Sequence, residues 1–266
     1  MKMKITRRQI LMGFGLLPFA GLAATGFSSV NKDFVFVLVH GAWHGGWCWK
    51  KVKILLETQG YPVYTPTLTG LGERSHLLNE EIGLDTHIQD IVSVLEYEDL
   101  KNVVLVGHSY GGMVITGVAG KSAERISHFV YLDAFLPENG KALKDYLPGN
   151  NSGNNQPQEK RDWKVPPRST AIEFGVKEKE DIDWTEKRLG PQSAKTFVQA
   201  VTIENPIPDS IKKVYIQLTD DSPWFVEASE KAQANGFESI KYFGGGHDAM
   251  ISQPVEIAKI FISIVE

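Results

Sequence analysis

Residues 103–119 constrain the fold of this chain more than any other stretch. They begin with a run of apolar, mostly β-branched residues, pass through a Gly-x-Ser-x-Gly turn centred on Ser109, and continue into a second apolar segment. This order predicts a strand buried on both faces, a tight turn and a helix. Gly107 and Gly111 suit a turn that lies close to its neighbours. We therefore expect Ser109 in a strained backbone conformation at a helix N-terminus, although a serine that merely caps the helix is an alternative.

The first 30 residues are typical of an export signal. An uncharged apolar run that reaches Val30 follows four basic residues, which are Lys2, Lys4, Arg7 and Arg8. Such a pattern directs secretion, and the segment 6–11 also resembles a twin-arginine signal, which is a bacterial route. We predict an exported bacterial protein, periplasmic or secreted, with the signal cleaved. An uncleaved membrane anchor is the alternative.

Charge and cysteine content narrow the classes of partner. Loss of the four basic residues would change the net charge from −4 to −8, and no basic stretch that would bind nucleic acid remains. We expect a membrane contact only through an uncleaved signal, and nothing in the pattern indicates an oligomeric state. Cys48 is the only cysteine, so an intramolecular disulfide is excluded. Its place between Trp47 and Trp49 indicates packing in the core.

Strands alternate with helices along residues 31–266. This alternation predicts an α/β domain with a mostly parallel sheet of about six strands flanked by helices. Strands are predicted before Ser109 and at 34–39, 61–65, 126–133, 213–219 and 239–243. Helices are predicted at 47–59, after Asp85 as N-cap, at 223–235, and from Pro254 to the end of the chain.

Residues 137–205 interrupt the alternation. The segment is rich in Pro, Asn, Gly and charged residues, with helical patches, notably at 192–202. An insertion between strands of a parallel sheet lies over their carboxyl ends, where ligands bind. We therefore predict a cap over a binding site. Trp163 and Trp184 within it are expected to face either the pocket or the core.

Three polar residues are predicted at the carboxyl edge of the sheet, because each follows a predicted strand. They are Ser109, Asp221 and His247. A serine hydroxyl becomes a nucleophile when a histidine accepts its proton, and a carboxylate orients that histidine. His247, on a glycine hinge after the last strand, is the predicted base. Asp221 is the predicted acid, with Asp220 and then Asp133 as alternatives.

The glycine-rich loop 40–47 follows the first strand. Such a loop brings backbone N–H groups close to a ligand, so the N–H of Ala42 is predicted to stabilise an oxyanion together with that of Tyr110. His40 is expected to brace this turn, and His108 to pack beneath the serine. The chain lacks paired cysteines and a phosphate-binding glycine loop. We therefore predict no metal and no cofactor.

The segments 40–49, 107–113 and 245–247 resemble the methyl-salicylate esterase and hydroxynitrile lyase branch of the α/β-hydrolases, which includes bacterial esterases of the pyrethroid-hydrolase kind. The resemblance implies an α/β-hydrolase fold. It also implies a serine carboxylic-ester hydrolase that acts on small to medium hydrophobic esters through an acyl-enzyme. The pocket that it implies is formed by Ala42, Trp43, His44, Tyr110 and Phe135.

Two alternatives to ester hydrolysis remain. The hydroxynitrile lyases of this branch place a lysine after the catalytic histidine, where this chain has Asp248. They also place a threonine near the oxyanion turn, where this chain has only His40, Gly41 and Ala42. A lyase that cleaves a C–C bond is therefore the second hypothesis. The third is a relative that keeps the triad but only binds a small molecule.

Overall fold

Six parallel strands form the central sheet of the computed structural model, which describes residues 33–147, 162–205, 207–219 and 221–266. The predicted export signal, the polar loop at 150–158 and Asp220 lie outside the described residues. Along the sheet the strands lie in the order β2 (Val63–Tyr64), β1 (Val35–Val39), β3 (Val103–His108), β4 (Ile126–Leu132), β7 (Lys212–Gln217) and β8 (Glu238–Lys241). The predicted α/β fold with a parallel sheet of about six strands is confirmed.

Helices cover both faces of the sheet. The α-helices of the described residues are α1 (Lys50–Thr58), α2 (Leu84–Tyr97), α3 (Gly111–Ser122), α4 (Lys179–Glu186), α5 (Lys195–Val198), α6 (Pro223–Ala234), α7 (Ala249–Ser252) and α8 (Pro254–Val265). Short 3-10 helices lie at Gly46–Trp49, Gly72–Leu77, Ala123–Arg125 and Leu143–Tyr146. Helices α2, α3 and α6 pack on one face, and α1 and α8 on the other. Among the described residues, no helix is both long enough and apolar enough to cross a bilayer.

The strands supply both hydrophobic layers because successive side chains point to opposite faces. In β1, Val37 and Val39 pack with α2 and α3, whereas Phe36 and Leu38 pack with α1 and α8. Phe36 also stacks on Phe261 of α8, with the ring centroids 6.1 Å apart. This division explains why β1 and β3 are apolar runs and do not alternate between apolar and polar residues.

Helix α2 begins differently from the prediction. Asp85 is its second residue and not its N-cap, because Gly83 is extended and occupies the N-cap position. The Thr86 hydroxyl accepts a hydrogen bond from the Gly83 N–H at 3.4 Å. The Asp85 carboxylate instead accepts a hydrogen bond from the Gln199 amide at 2.6 Å. Asp85 therefore helps to join α2 to the inserted segment.

The inserted segment lies between β4 and β7 in the chain. It contains a small antiparallel pair, β5 (Lys164–Val165) and β6 (Gln192–Ser193), together with α4 and α5. The helix predicted at 192–202 is therefore wrong for most of its length, since its first two residues pair with β5 and only Lys195–Val198 are helical. Pairing between distant parts of the chain overrides the local helical preference here.

Helix α3 lies close to the chain that leaves β4. A Cβ placed on Gly112 would collide with the Phe135 carbonyl oxygen and would lie 3.0 Å from the Ala134 side chain. A side chain at this position therefore requires the backbone around Phe135 to move. The carbonyl oxygen of Ser109 accepts hydrogen bonds from the N–H groups of both Gly112 and Phe135. These two hydrogen bonds join the turn at Ser109 to α3 and to the chain after β4.

We expect Gly112→Ala to destabilise the fold by about 1–3 kcal/mol, the usual cost of adding a methyl group to a well-packed interior. Gly190→Ala is the matched control, because a Cβ on Gly190 meets no atom within 4 Å and its backbone φ is not positive. Urea denaturation of both variants measures the difference. Equal free energies of unfolding would show that the close approach at Gly112 is not a constraint.

Candidate active site

Ser109 lies at the end of β3 with a backbone φ of 54°. This left-handed conformation is uncommon for a residue with a side chain and costs free energy. The N–H of Ser109 donates to the Leu132 carbonyl oxygen of β4 at 3.3 Å, and α3 begins two residues later at Gly111. The strained turn between strand and helix is thus present, as predicted, and the Ser109 side chain reaches a cavity.

A cavity of about 340 Å³ lies over the carboxyl edge of the sheet. Ala42, Trp43, Tyr110 and Phe135, four of the five predicted pocket residues, line it. The inserted segment supplies another wall with Leu143, Leu147, Phe174 and Phe197, and the charged Arg168 and Glu173 are exposed where they line it. The segment 137–205 therefore contributes to the cavity in the way that a cap would.

His247 lines the same cavity as Ser109, but its carboxylate partner differs from the prediction. His247 Nδ1–H donates to Asp133 Oδ2 at 2.7 Å. Asp221 is exposed and lies at the cavity wall. The prediction that Asp221 orients His247 is therefore wrong, and the residue considered last, Asp133, holds this position.

Asp133 is fully buried and immediately follows β4. Its Oδ1 accepts hydrogen bonds from the backbone N–H groups of Leu218 at 2.9 Å and Thr219 at 3.3 Å, and the Thr219 hydroxyl lies 3.0 Å from Oδ2. These donors follow β7, the neighbouring strand of the sheet. A buried carboxylate is stable only with such donors. The residues after β7 therefore donate hydrogen bonds to the acid, whereas the acid itself follows β4.

One sequence signal favoured Asp133. Asp133 is an acidic residue that directly follows the apolar run 129–132, which is unusual because an aspartate is almost never fully buried unless it is paired. Asp221 lies in a polar stretch, where an exposed carboxylate needs no partner. Sequence analysis chose Asp221 because it follows a predicted strand, but Asp133 ends another predicted strand, so position in the sequence does not separate the two.

Aromatic rings fix the orientation of the His247 imidazole. Phe225 of α6 stacks on it with a centroid separation of 4.7 Å and an interplanar angle of 14°. Phe174, from the inserted segment, lies 5.8 Å away at 35°. His108 Nε2–H donates to the His247 carbonyl oxygen at 3.0 Å from beneath, where sequence analysis placed its side chain. With Nδ1 bound to Asp133, the Nε2 atom of His247 is the one left for a substrate or for Ser109.

Hydrogen bonds to Trp43, the residue after Ala42, fix the backbone of the loop that follows β1. Trp43 has a φ of 65°, and its N–H donates to the Gln192 side-chain oxygen at 3.0 Å. The Gly190 N–H donates to the Trp43 carbonyl oxygen, and the Trp43 indole N–H donates to the Val165 carbonyl oxygen. The inserted segment therefore fixes this turn by three hydrogen bonds.

Two buried histidines stay neutral beside the cavity and support its backbone. His40 Nδ1–H donates to the Gly41 carbonyl oxygen at 2.8 Å, while its Nε2 accepts from the Leu68 N–H. Burial lowers the pKa of His40 to about 3. The Gly41 carbonyl belongs to the same peptide as the Ala42 N–H, so this hydrogen bond polarises the predicted oxyanion donor. His87 likewise has its pKa lowered to about 4, mainly by burial, and accepts a hydrogen bond from the Tyr110 hydroxyl.

Three aromatic side chains that sequence analysis connected with the pocket do not line the cavity. His44 does not line the cavity, because its ring turns into the interior and its Nδ1–H donates to the Ala42 carbonyl oxygen at 2.7 Å. Trp184 packs edge-to-face on Trp47, and Trp163 carries Lys164 over its ring. Neither of these tryptophans lines the cavity. Across the described residues, no three His, Cys, Asp or Glu side chains are grouped so as to hold a metal ion.

Known proteins match most of the length of this chain. A carbendazim-hydrolysing esterase from Nocardioides sp. (strain SG-4G) is 39% identical over 236 residues, which are 84% of this chain and 96% of that protein. The salicylic acid-binding protein 2 of Nicotiana tabacum is 28% identical over 86% of this chain and 96% of its own length. The resemblance to this esterase branch is thereby confirmed.

Solved structures share the fold. An extracellular α/β-hydrolase from a Paenibacillus species superimposes with a TM-score of 0.69 at 23% identity, and the match covers 86% of this chain and 98% of that one. Residues 36–260, from β1 into α8, match the alpha/beta hydrolase family as a whole. The chain belongs to the alpha/beta hydrolase family.

Proposed function

We propose that the protein is a serine carboxylic-ester hydrolase in which Ser109 is the nucleophile, His247 the base and Asp133 the acid. One observation carries the proposal. His247 Nδ1 lies 2.7 Å from the buried Asp133 carboxylate, and His247 lines the same cavity as the strained Ser109. The esterase relatives support the reaction class. Binding of a neutral ligand does not need such an arrangement, whereas removal of a proton from a serine hydroxyl does.

The proposed reaction proceeds in two halves. Ser109 Oγ attacks the ester carbonyl carbon while His247 Nε2 accepts its proton, and Asp133 stabilises the resulting imidazolium. The N–H groups of Ala42 and Tyr110 stabilise the oxyanion. The C–O bond to the alcohol then breaks, and the alcohol takes its proton from His247. Water, deprotonated by the same histidine, attacks the acyl-enzyme. The bond between the acyl carbon and Ser109 Oγ then breaks, Ser109 Oγ takes the proton back from His247, and the acid is released.

The cavity wall supports small to medium hydrophobic esters as substrates. Its lining is mainly aromatic and aliphatic, and its volume is about 340 Å³, near the lower end for small-molecule pockets. The charged groups in the lining, Arg168, Glu173 and Asp221, are all exposed. Apolar groups on either side of the ester bond are therefore expected to bind deep in the cavity, and polar substituents to face the solvent.

Two other activities are distinguished by specific observations. Cyanohydrin cleavage needs a positive charge beside departing cyanide, but the residue after His247 is Asp248, which is buried and bound to His44. A purely binding role draws its support from the name of the tobacco relative, a salicylic acid-binding protein. Titration calorimetry with salicylic acid, measured beside ester turnover, separates binding from hydrolysis.

We expect Ser109→Ala to lower the turnover of p-nitrophenyl acetate by about 10⁴-fold or more, because no other nucleophile replaces the hydroxyl. Initial rates of the wild type and the variant at saturating substrate measure the effect. A panel of methyl, aryl and long-chain esters then ranks substrates. Carbendazim joins the panel because the Nocardioides relative is named for its hydrolysis.

The control for this experiment is Ser127→Ala. The Ser127 hydroxyl is bound to the Val103 carbonyl oxygen near the amino end of β4, away from the cavity. Equal turnover by the wild type and Ser109→Ala would refute the proposed nucleophile. Cyanide release from mandelonitrile without ester turnover would favour the lyase, and tight binding of salicylic acid without any turnover would favour the receptor.

We expect Asp133→Asn to lower kcat by about four orders of magnitude, because an amide that donates to Nδ1 imposes the wrong histidine tautomer. Asp221→Asn is the matched control and should retain turnover within about threefold, since an exposed side chain contributes little to the site. Steady-state kinetics of both variants test the assignment. A large loss in Asp221→Asn with an active Asp133→Asn would restore the acid predicted from the sequence.

A further inference from the structure

A second histidine–aspartate pair lies in the interior, directly behind the candidate site. His44 and Asp248 are 1% and 0% exposed. His44 Nε2 lies 3.0 Å from Asp248 Oδ2, and His44 Nδ1 lies 2.7 Å from the Ala42 carbonyl oxygen. Neither residue lines the cavity. The proposed reaction therefore does not use them, although each is adjacent to residues that it does use.

The partners of His44 decide where its protons lie. A carbonyl oxygen only accepts hydrogen bonds, so Nδ1 must carry a proton. A second proton must lie between His44 Nε2 and Asp248 Oδ2, because two lone pairs would otherwise face each other. This proton is bound either to the imidazole or to the carboxyl group. It rests on the imidazole, because the charge and the hydrogen bond of Asp248 raise the pKa of His44. His44 is then an imidazolium and Asp248 a carboxylate.

The surroundings of the pair favour the charged form. Burial by itself lowers the pKa of His44, but the charge and hydrogen bond of Asp248 and the Ala42 carbonyl raise it above its ordinary value. The His44 ring also stacks on Trp47 at 5.3 Å, an arrangement that favours a cation. The other titratable groups around the pair are His40, His108 and Cys48. Burial lowers the pKa of both of these histidines and raises that of the thiol, so all three stay neutral.

The pair joins two loops from distant strands of the sheet. Ala42 follows β1, whereas Asp248 follows His247 after β8, and three strands separate β1 from β8 in the sheet. Asp248 is itself fixed, because its N–H donates to the Phe174 carbonyl oxygen and its own carbonyl accepts from the N–H of Ile251 in α7. A shift of either loop would therefore stretch a buried ionic hydrogen bond.

We propose that the buried ion pair of His44 and Asp248 positions the oxyanion turn at Ala42 relative to the base at His247. Both are positioning residues, since neither touches the cavity, and the inference rests on the proposed ester hydrolysis. The imidazolium also places a positive charge next to the peptide that follows the oxyanion donor. The pair therefore acts through the position of the Ala42 N–H, whose hydrogen bond to the reacting oxygen is stronger in the transition state than in the bound ester.

Asp248→Asn and His44→Gln test this role in the full-length protein. We expect each to lower kcat about tenfold to a hundredfold with KM within about twofold, because small displacements of catalytic groups cost rate more than binding. The double variant should lose no more than the worse single variant, since the two side chains act as one unit. His128→Gln is the matched control, because His128 is a buried histidine of β4 whose Nδ1 is bound to Ser127 and not to the site.

Two readouts separate positioning from general destabilisation. A trifluoromethyl ketone, which mimics the tetrahedral oxyanion, should bind more weakly in proportion to the loss of kcat, whereas the carboxylic acid product should bind equally well. Nitrogen NMR of histidine-labelled wild type should show His44 protonated on both ring nitrogens, with its resonances assigned by nuclear Overhauser contacts to the Trp47 ring that stacks on it. This measurement stands whether or not a variant folds.

The outcomes distinguish this inference from the proposed function. A neutral His44 in the wild type, or kcat in Asp248→Asn equal to that of His128→Gln, overturns the ion pair as a positioning device and leaves the hydrolase intact. Equal ester turnover in the wild type and Ser109→Ala overturns the hydrolase itself. Parallel losses of kcat and product binding would indicate general collapse of the site, which also contradicts the inference.

Discussion

A carboxylate buried without any exposure at the end of β4 is the constraint on which the candidate site depends. The Asp133 carboxylate is accommodated in the interior because the backbone N–H groups after β7 and the Thr219 hydroxyl donate to it, and His247 completes its set of donors. β4 and β7 are neighbours in the sheet. Parallel pairing is therefore what brings donor and acceptor together, and an error in strand order would leave a buried charge without partners, at a cost of several kcal/mol. The sheet and the candidate active site therefore depend on the same pairing of β4 with β7.

The inserted segment contacts both loops of the site through backbone groups as well as side chains. The Gln192 side chain and the Gly190 N–H hold Trp43, next to the oxyanion turn, while the Phe174 carbonyl holds Asp248, next to the base. Gly175 and Gly246 approach so closely that a Cβ on either would lie 2.6 Å from the Cα of the other. Both glycines have positive φ values. The segment is thus fitted to the two loops that carry the chemistry, in addition to covering the cavity.

Buried histidines other than His247 determine the hydrogen bonds and the charges around the site. Burial keeps His40, His87 and His108 uncharged, so each orients a peptide group or a hydroxyl with a fixed tautomer. His44 differs because its second nitrogen faces a carboxylate. Asp248 is therefore bound to His44 in the interior and does not line the cavity.

The sequence alone determined the α/β fold, the sheet of about six parallel strands, the strained turn at Ser109 and the histidine after the last strand. These features depend on local patterns: apolar runs, glycines and turn residues lie within a few positions of one another. The sequence did not determine the acid or the direction of His44, and it misplaced the helix expected after Gln192. Each of these depends on contacts between residues separated by many positions in the chain. Asp133 meets His247 only because β4, β7 and β8 lie side by side, and a carboxylate is stable in the interior only where that pairing supplies its donors. Tertiary structure decided these points, because the free energy of a buried polar group depends on its partners in space.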